Sequence, residues 1–193
     1  MSQTETQPGT TPSPRRTSPH GLGNRVGRLL WGIVWAVLFR PSPRPLHLWR
    51  NTLLRLFGAR LHRTSRVFSS ARVWAPWNLA MGPHATISEH VDVYNVEPIT
   101  LGARAAVSQY SFLCAASHDH EDPALPLISA PITIGDDAWV AADVFVAPGV
   151  EIGTGTVVGA RASVFKSLPP WVVATGSPAR PVGPRRLPGR SPA

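Results

Sequence analysis

A parallel β-helix, an all-β core wound from six-residue units, is the fold this sequence predicts, and three observations predict it. Aliphatic residues recur every six positions at Ile134, Val140, Val146, Ile152, Val158 and Val164 without a slip. The next position is small at Gly135, Ala141, Ala147, Gly153 and Gly159, with Phe165 the exception. Gly (16) and Pro (21) together make nearly a fifth of the 193 residues, the turn content that short units need. A helix repeats at 3.6 residues and a half-buried strand at 2, so neither produces a strict period of six. Stacked coils do: each unit is one short strand and one turn, three units close an eighteen-residue triangular coil, and the aliphatic residue points inward.

The elements follow in chain order. Residues 1–20 hold almost no large apolar side chain and are expected to be a disordered tail. Residues 21–60 form a basic and apolar helical segment. Within it the run Leu29 to Phe39 is flanked by Arg25, Arg28 and Arg40, and at eleven residues falls short of the roughly 20 needed to span a bilayer. No A-x-A cleavage site follows it, so a signal peptide is disfavoured. It either packs on the body or lies in a membrane interface with its arginines toward anionic lipid. After the proline-rich break at 41–45, Leu46, Trp49, Leu53, Leu54, Leu56 and Phe57 stand near helical spacing, and Gly58 is placed as a C-terminal cap. The coil domain covers 61–182. Its earlier hexads are Leu61, Val67, Val73, then Met81, Ile87, Val93, then Leu101, Val107, Leu113, with two-residue slips at 79–81 and 99–101. Between Leu113 and Ile132 the rhythm is lost, which predicts a loop, 114–131, protruding from the helix. Residues 183–193 are expected to be a second tail.

The formal charge of +8 would ordinarily raise nucleic acid as a partner, but its distribution argues otherwise. Residues 1–66 carry eleven arginines against Glu5, and 183–193 add Arg185, Arg186 and Arg190. Residues 67–180 carry ten acids against Arg72, Arg104, Arg161, Lys166 and Arg180, a balance of −5. The body is acidic and the basicity terminal, so no nucleic acid is expected and membrane contact is confined to residues 21–45. One cysteine, Cys114, excludes an intrachain disulfide and any cysteine-based zinc cluster, and fits a reducing compartment.

The segment ITIGDDAWVAADVFVAPGVEIGTGTVVGARASVF followed by GSPA resembles the hexapeptide-repeat O-acetyltransferases, in particular the maltose, galactoside and nodulation enzymes. LWRNTLLRLFGARL, APWNLAMG, VDVYNVEPITLG and SQYSFLCAASHD are similar to the colanic-acid biosynthesis acetyltransferases, and together the likeness spans most of 46–182. It implies a left-handed β-helix, a homotrimer with sites between subunits, acetyl-CoA as co-substrate, no metal, a sugar or glycan-precursor acceptor in polysaccharide biosynthesis, and a cytoplasmic location; peripheral contact at the inner face of the membrane is the alternative that segment 21–45 itself leaves open against packing on the body. The scaffold alone does not fix chemistry, since it serves several reactions.

Attack of a sugar hydroxyl on a thioester needs a base, and imidazole, with an unperturbed pKa near ~6.5, suits it. By its place after the serine of the motif, His118 is similar to the family's catalytic histidine. Asp119 or Asp122 could orient the ring, and the spacing leaves both open; His120 reads as a loop residue. For the donor, the resemblance carries over Trp139, Ala142, whose backbone N–H is expected at the thioester carbonyl, Ala160 and Lys166 along the pantetheine and ribose path, and Arg180 toward phosphate. Ala142 stands where a serine is common, and Phe165 and Ser167 depart from the family's residues around the lysine. For the acceptor, Asn78 and Asn95 resemble the family's sugar-binding residues, while either could instead be an asparagine rung inside the coil. His84 and His90 are six apart and so face different sides of a coil, which speaks against a three-histidine zinc site. Cys114 follows the coil period, so direct transfer without an acyl-enzyme is expected. The competing reading is a non-catalytic β-helix scaffold that binds a membrane or protein partner.

Overall fold

In the computed structural model, which describes residues 21–187, the hexads wind a left-handed parallel β-helix of triangular section. Face 1 is built from Arg60–Leu61, Leu79–Met81, Ile99–Leu101, Ile132–Ile134 and Glu151–Ile152. Face 2 runs through Arg66–Val67, Thr86–Ile87, Ala106–Val107, Trp139–Val140 and Val157–Val158, and ends in the antiparallel pair Val172–Gly176 and Ala179–Pro184. Face 3 stacks Arg72–Val73, Asp92–Tyr94, Phe112–Cys114, Phe145–Val146 and Ser163–Val164. Within the coils every pairing is parallel and in register with the hexad, so Val67, Ile87, Val107, Val140 and Val158 form one buried column. Each such side chain removed from water contributes roughly 1.5–3 kcal/mol.

The small residue after each aliphatic one has a steric cause. A Cβ on Gly135 would stand 2.6 Å from Thr154 N in the next coil, against backbone that cannot swing aside. The slips in the repeat share one place, the corner from face 3 to face 1. There the chain makes a 3-10 turn at Pro76–Asn78, a wider connection at 95–98, and an arm at 115–131.

Two helices close the N-terminal end. Helix α1 (Leu22–Val34) continues into a π-helical turn, Trp35–Phe39, and lies on the first coil: Trp31 Nε1 donates to Val73 O and Trp35 Nε1 to Ala71 O. Helix α2 (His47–Leu56) packs on the first strands of faces 1 and 2. It ends as the sequence predicts, with Gly58 at φ +89 and a pair of closing bonds, Gly58 N to Arg55 O and Ala59 N to Leu54 O. On α2 Arg50 is wholly buried, with no carboxylate partner among the described residues. Its guanidinium donates to Val67 O, Pro43 O, Arg44 O, Ser42 Oγ and His47 Nδ1.

The tail expected at 1–20 lies outside the described residues, as do 188–193. From 183 to 187 the chain differs from the expectation of a tail. The last strand runs to Pro184, Arg185 N donates to Trp171 O, and the Arg185 side chain donates to Asp137 O and Gly155 O.

Candidate active site

The arm is a two-stranded antiparallel hairpin, Ala116–His118 with Leu127–Ser129, instead of an unstructured loop. Its three paired registers and the bond from Asp119 N to Pro126 O hold His118 at the end of the first strand, exposed to solvent. His118 Nδ1 is 2.7 Å from Leu125 O. A carbonyl oxygen only accepts, so Nδ1 carries a proton in this contact, and in the neutral tautomer that makes it the lone pair is on Nε2. The orienting group is therefore a backbone carbonyl. Neither acid weighed for that role takes it: Asp119 Oδ1 accepts from Glu121 N, and Asp122 Oδ1 from Ala124 N, each closing a local turn. Leu125 has a φ of +46, a left-handed conformation costly for a branched side chain, and it is the residue whose carbonyl meets the ring.

Ala142 and Ala160 occupy successive coils at the corner from face 2 to face 3. They line one cavity of about 400 Å3 together with Tyr110, Asp143 and Arg161. Coils at this corner are joined by Asp143 N to Gln109 O and Arg161 N to Ala142 O, with Tyr110, Asp143 and Arg161 in the left-handed region. The amides of Ala142 and Ala160 themselves donate to no group among the described residues. They are free donors on residues that line the cavity, the feature needed to meet a carbonyl or an oxyanion. Tyr110, Asp143 and Arg161 escaped the sequence reading, although Asp143 and Arg161 are eighteen apart, one full coil.

The remaining donor candidates are spread around the prism. Trp139 stands on face 2, 46% exposed, its Nε1 donating to Ser108 Oγ on the coil below. Lys166 is exposed at the corner from face 3 to face 1, the corner that carries the arm. Phe165 before it is also exposed and rests against Phe145, while Ser167 Oγ accepts from Glu151 N and so secures the coil. Arg180 is exposed on the terminal strand pair, with Nη1 donating to Ala179 O. Within one chain, therefore, His118 and the Ala142–Ala160 cavity sit at different corners.

The two asparagines separate. Asn95 is fully buried, its Oδ1 accepting from Ala75 N and its Nδ2 donating to Ala75 O. Both ends of the amide are spent holding one coil to the next, so it is the ladder rung and is closed to an acceptor. Asn78 is half-buried at the same corner; its Nδ2 donates to Asn95 O and Val96 O, and its Oδ1 has no partner among the described residues.

Cys114 is 9% exposed, with Sγ donating to Ala116 O. Burial pushes its thiol up, outweighing that bond, and Asp92 adds to the rise, the reverse of an activated nucleophile. A second cavity of about 230 Å3 lies between α1 and face 3, walled by Trp31, Trp35 and Trp74 with Arg28, Arg72 and Asp92. Burial raises the Asp92 carboxyl, opposed by Arg72. Among the described residues no group of three or more His, Cys, Asp or Glu could hold a metal ion.

Comparison with known proteins adds to this geometry. The family model of bacterial transferase hexapeptides (six repeats) matches residues 131–166. The chain is 48% identical over 157 residues to the colanic acid biosynthesis acetyltransferase WcaF of Escherichia coli (strain K12), covering 81% of this chain and 86% of that one. Among solved structures, a hexapeptide-repeat acetyltransferase of Vibrio cholerae complexed with acetyl coenzyme A matches with a TM-score of 0.78 at 25% identity, over 89% of this chain and 94% of that one. A maltose O-acetyltransferase from Clostridium difficile 630 matches with a TM-score of 0.77 at 23% identity, over 86% and 90%, and shares the fold.

Proposed function

The chain belongs to the bacterial hexapeptide-repeat transferases and is an acetyltransferase, and on that premise we propose that it moves acetyl from acetyl-CoA to a hydroxyl of a sugar or glycan precursor. His118 is the general base in this reading. The observation that carries it is the 2.7 Å contact of His118 Nδ1 with Leu125 O on an exposed arm, which commits Nδ1 as a donor and leaves Nε2 as the nitrogen able to take a proton.

The acceptor hydroxyl gives its proton to Nε2 as its oxygen attacks the thioester carbonyl carbon. The carbonyl oxygen takes up negative charge and is met by the free Ala142 amide. Collapse re-forms the carbonyl, the carbon–sulfur bond breaks, and the imidazolium returns the proton to the leaving thiolate. The product is an acetyl ester and free CoA. The raised thiol of Cys114 supports direct transfer without an acyl-cysteine. Trp139, Ala160, Lys166 and Arg180 are proposed to bind the donor, and Asn78, through its unbonded Oδ1, the acceptor. Use of acetyl-CoA supports a cytoplasmic setting, and the name of the WcaF relative supports polysaccharide biosynthesis.

His118 and the Ala142–Ala160 cavity lie at different corners of one prism, which supports a homotrimer in which one subunit's arm reaches the neighbour's cavity. A ring of three joined by identical heterologous contacts makes three such composite sites. Two measurements test the reading. Acetyl-CoA should raise the melting temperature, and a panel of free and polyprenyl-linked saccharides should contain an acceptor that releases CoA and gains an acetyl ester by mass spectrometry. No stabilisation at millimolar acetyl-CoA would overturn it.

A further inference from the structure

An ordinary surface helix buries one apolar stripe and turns polar residues outward. The N-terminal helix does not. Its inner side is committed to the prism through Trp31, Trp35 and Phe39, with Gly27 set against the Trp77 ring. Its outer side carries Leu22, Val26, Leu29, Leu30, Ile33 and Val37, at successive helical spacings, each between 51% and 79% exposed. Leu48 and Trp49 on α2 are exposed as well. Arg25 and Arg40 stand beside this stripe, and no Asp or Glu occurs between residues 21 and 66; Arg44, in the turn before α2, is paired with Glu89 at 2.9 Å.

We propose that the stripe is a docking surface for an anionic lipid bilayer, on which α1 lies along the interface without crossing it. An apolar face flanked by Arg25 and Arg40, on a segment without an acid, is the chemistry that buries side chains at the acyl boundary while pairing with headgroup phosphates. No described helix is long and apolar enough to cross a membrane. Residues 1–20 are poor candidates to cover the stripe, since beyond Met1 they contain no large aliphatic or aromatic side chain. A second copy docked on the same stripe would bring the arginines of two segments together with no acid in residues 21–66 of either to offset them. Docking has a consequence for the arm, which leaves the prism at the coil corner two layers above the one α1 packs on. At about 4.8 Å per layer, the arm is raised by roughly 10 Å.

The test uses the full-length protein and vesicles of phosphatidylcholine with or without phosphatidylglycerol, read by co-sedimentation. The expected result is binding to the anionic vesicles, weakened by salt, and at least tenfold weaker for the double variant Leu29→Glu with Ile33→Glu, whose exposed positions leave the melting temperature and acetyl-CoA binding unchanged. Independently, a polarity-sensitive dye on Leu29→Cys should shift to the blue on anionic vesicles alone. Sedimentation with neither vesicle, or sedimentation indifferent to the glutamates together with an unshifted dye, overturns the proposal. So does an assembly formed without lipid that the glutamates break, because a second copy would then be the occupant.

Discussion

Replacing His118 with alanine separates chemistry from structure, because the geometry lets the two costs be reckoned apart. The arm is held by the pairs Ala116–Ser129, Ser117–Ile128 and His118–Leu127 and by Asp119 N on Pro126 O, all through backbone. The exposed ring contributes only its bond to Leu125 O, a net of about 0.5–1.5 kcal/mol. For a chain of this size that lowers the melting temperature by at most roughly 2–6 °C. A general base is worth about 100- to 10,000-fold in rate, or roughly 3–5 kcal/mol of transition-state stabilisation. The assay is CoA release followed with a thiol-reactive dye at saturating acetyl-CoA, with gel filtration to confirm the assembly. The expected outcome is a kcat at least ~100-fold lower with the KM for acetyl-CoA within about threefold, since the ring acts only as the proton moves. A variant that keeps its assembly and retains more than about a tenth of the wild-type kcat would refute the assignment.

Three further outcomes follow from particular contacts. Cys114→Ala should keep turnover within about threefold, because the thiol is buried, bonded to Ala116 O and pushed up; acetyl trapped on Cys114 would contradict this. Burial first, then Arg50, holds the His47 imidazole below its usual 6.5, and His47 Nδ1 accepts from Arg50 Nη2. The unfolded chain thus binds a proton that the folded one refuses, so this share of stability is complete above about pH 6.5 and is lost as pH falls toward the folded value. His47→Asn, which keeps an acceptor that does not titrate, should flatten that acid-side fall in melting temperature, and an unchanged slope would count against it. Gly135→Ala should cost about 1–3 kcal/mol, because its Cβ meets Thr154 backbone in the next coil, and an unaltered melting temperature would show that the corner has slack.

The coils were legible because each hexad repeats one physical demand, an apolar residue inside and a small one where the next coil passes. The same logic located the arm, since only an excursion from the prism breaks a period held this strictly. The partner of His118 left no trace in the sequence: it is a backbone carbonyl at Leu125, and a carbonyl belongs to every residue. The acids of the arm, Asp119 and Asp122, drew attention as possible partners and serve as turn acceptors. Asn78 and Asn95 looked alike as letters, and burial alone tells the rung from the open amide. Rich in proline, glycine and arginine, 183–193 reads as a tail beyond the coil domain. Arg185 nonetheless donates to Asp137 O and Gly155 O, contacts across 48 and 30 residues that local composition cannot carry.

The composite site is the claim on which this account turns, and subunit mixing tests it most directly. Chains carrying His118→Ala keep an open cavity at Ala142 and Ala160, and chains carrying Ala160→Trp keep the base but fill the cavity. Each variant alone should be inactive. In trimers reassembled from equal amounts of the two, about a quarter of the interfaces join an intact arm to an intact cavity, so about a quarter of wild-type turnover should return. Reassembled trimers as inactive as their parents would contradict the account, because base and cavity would then have to lie within one chain.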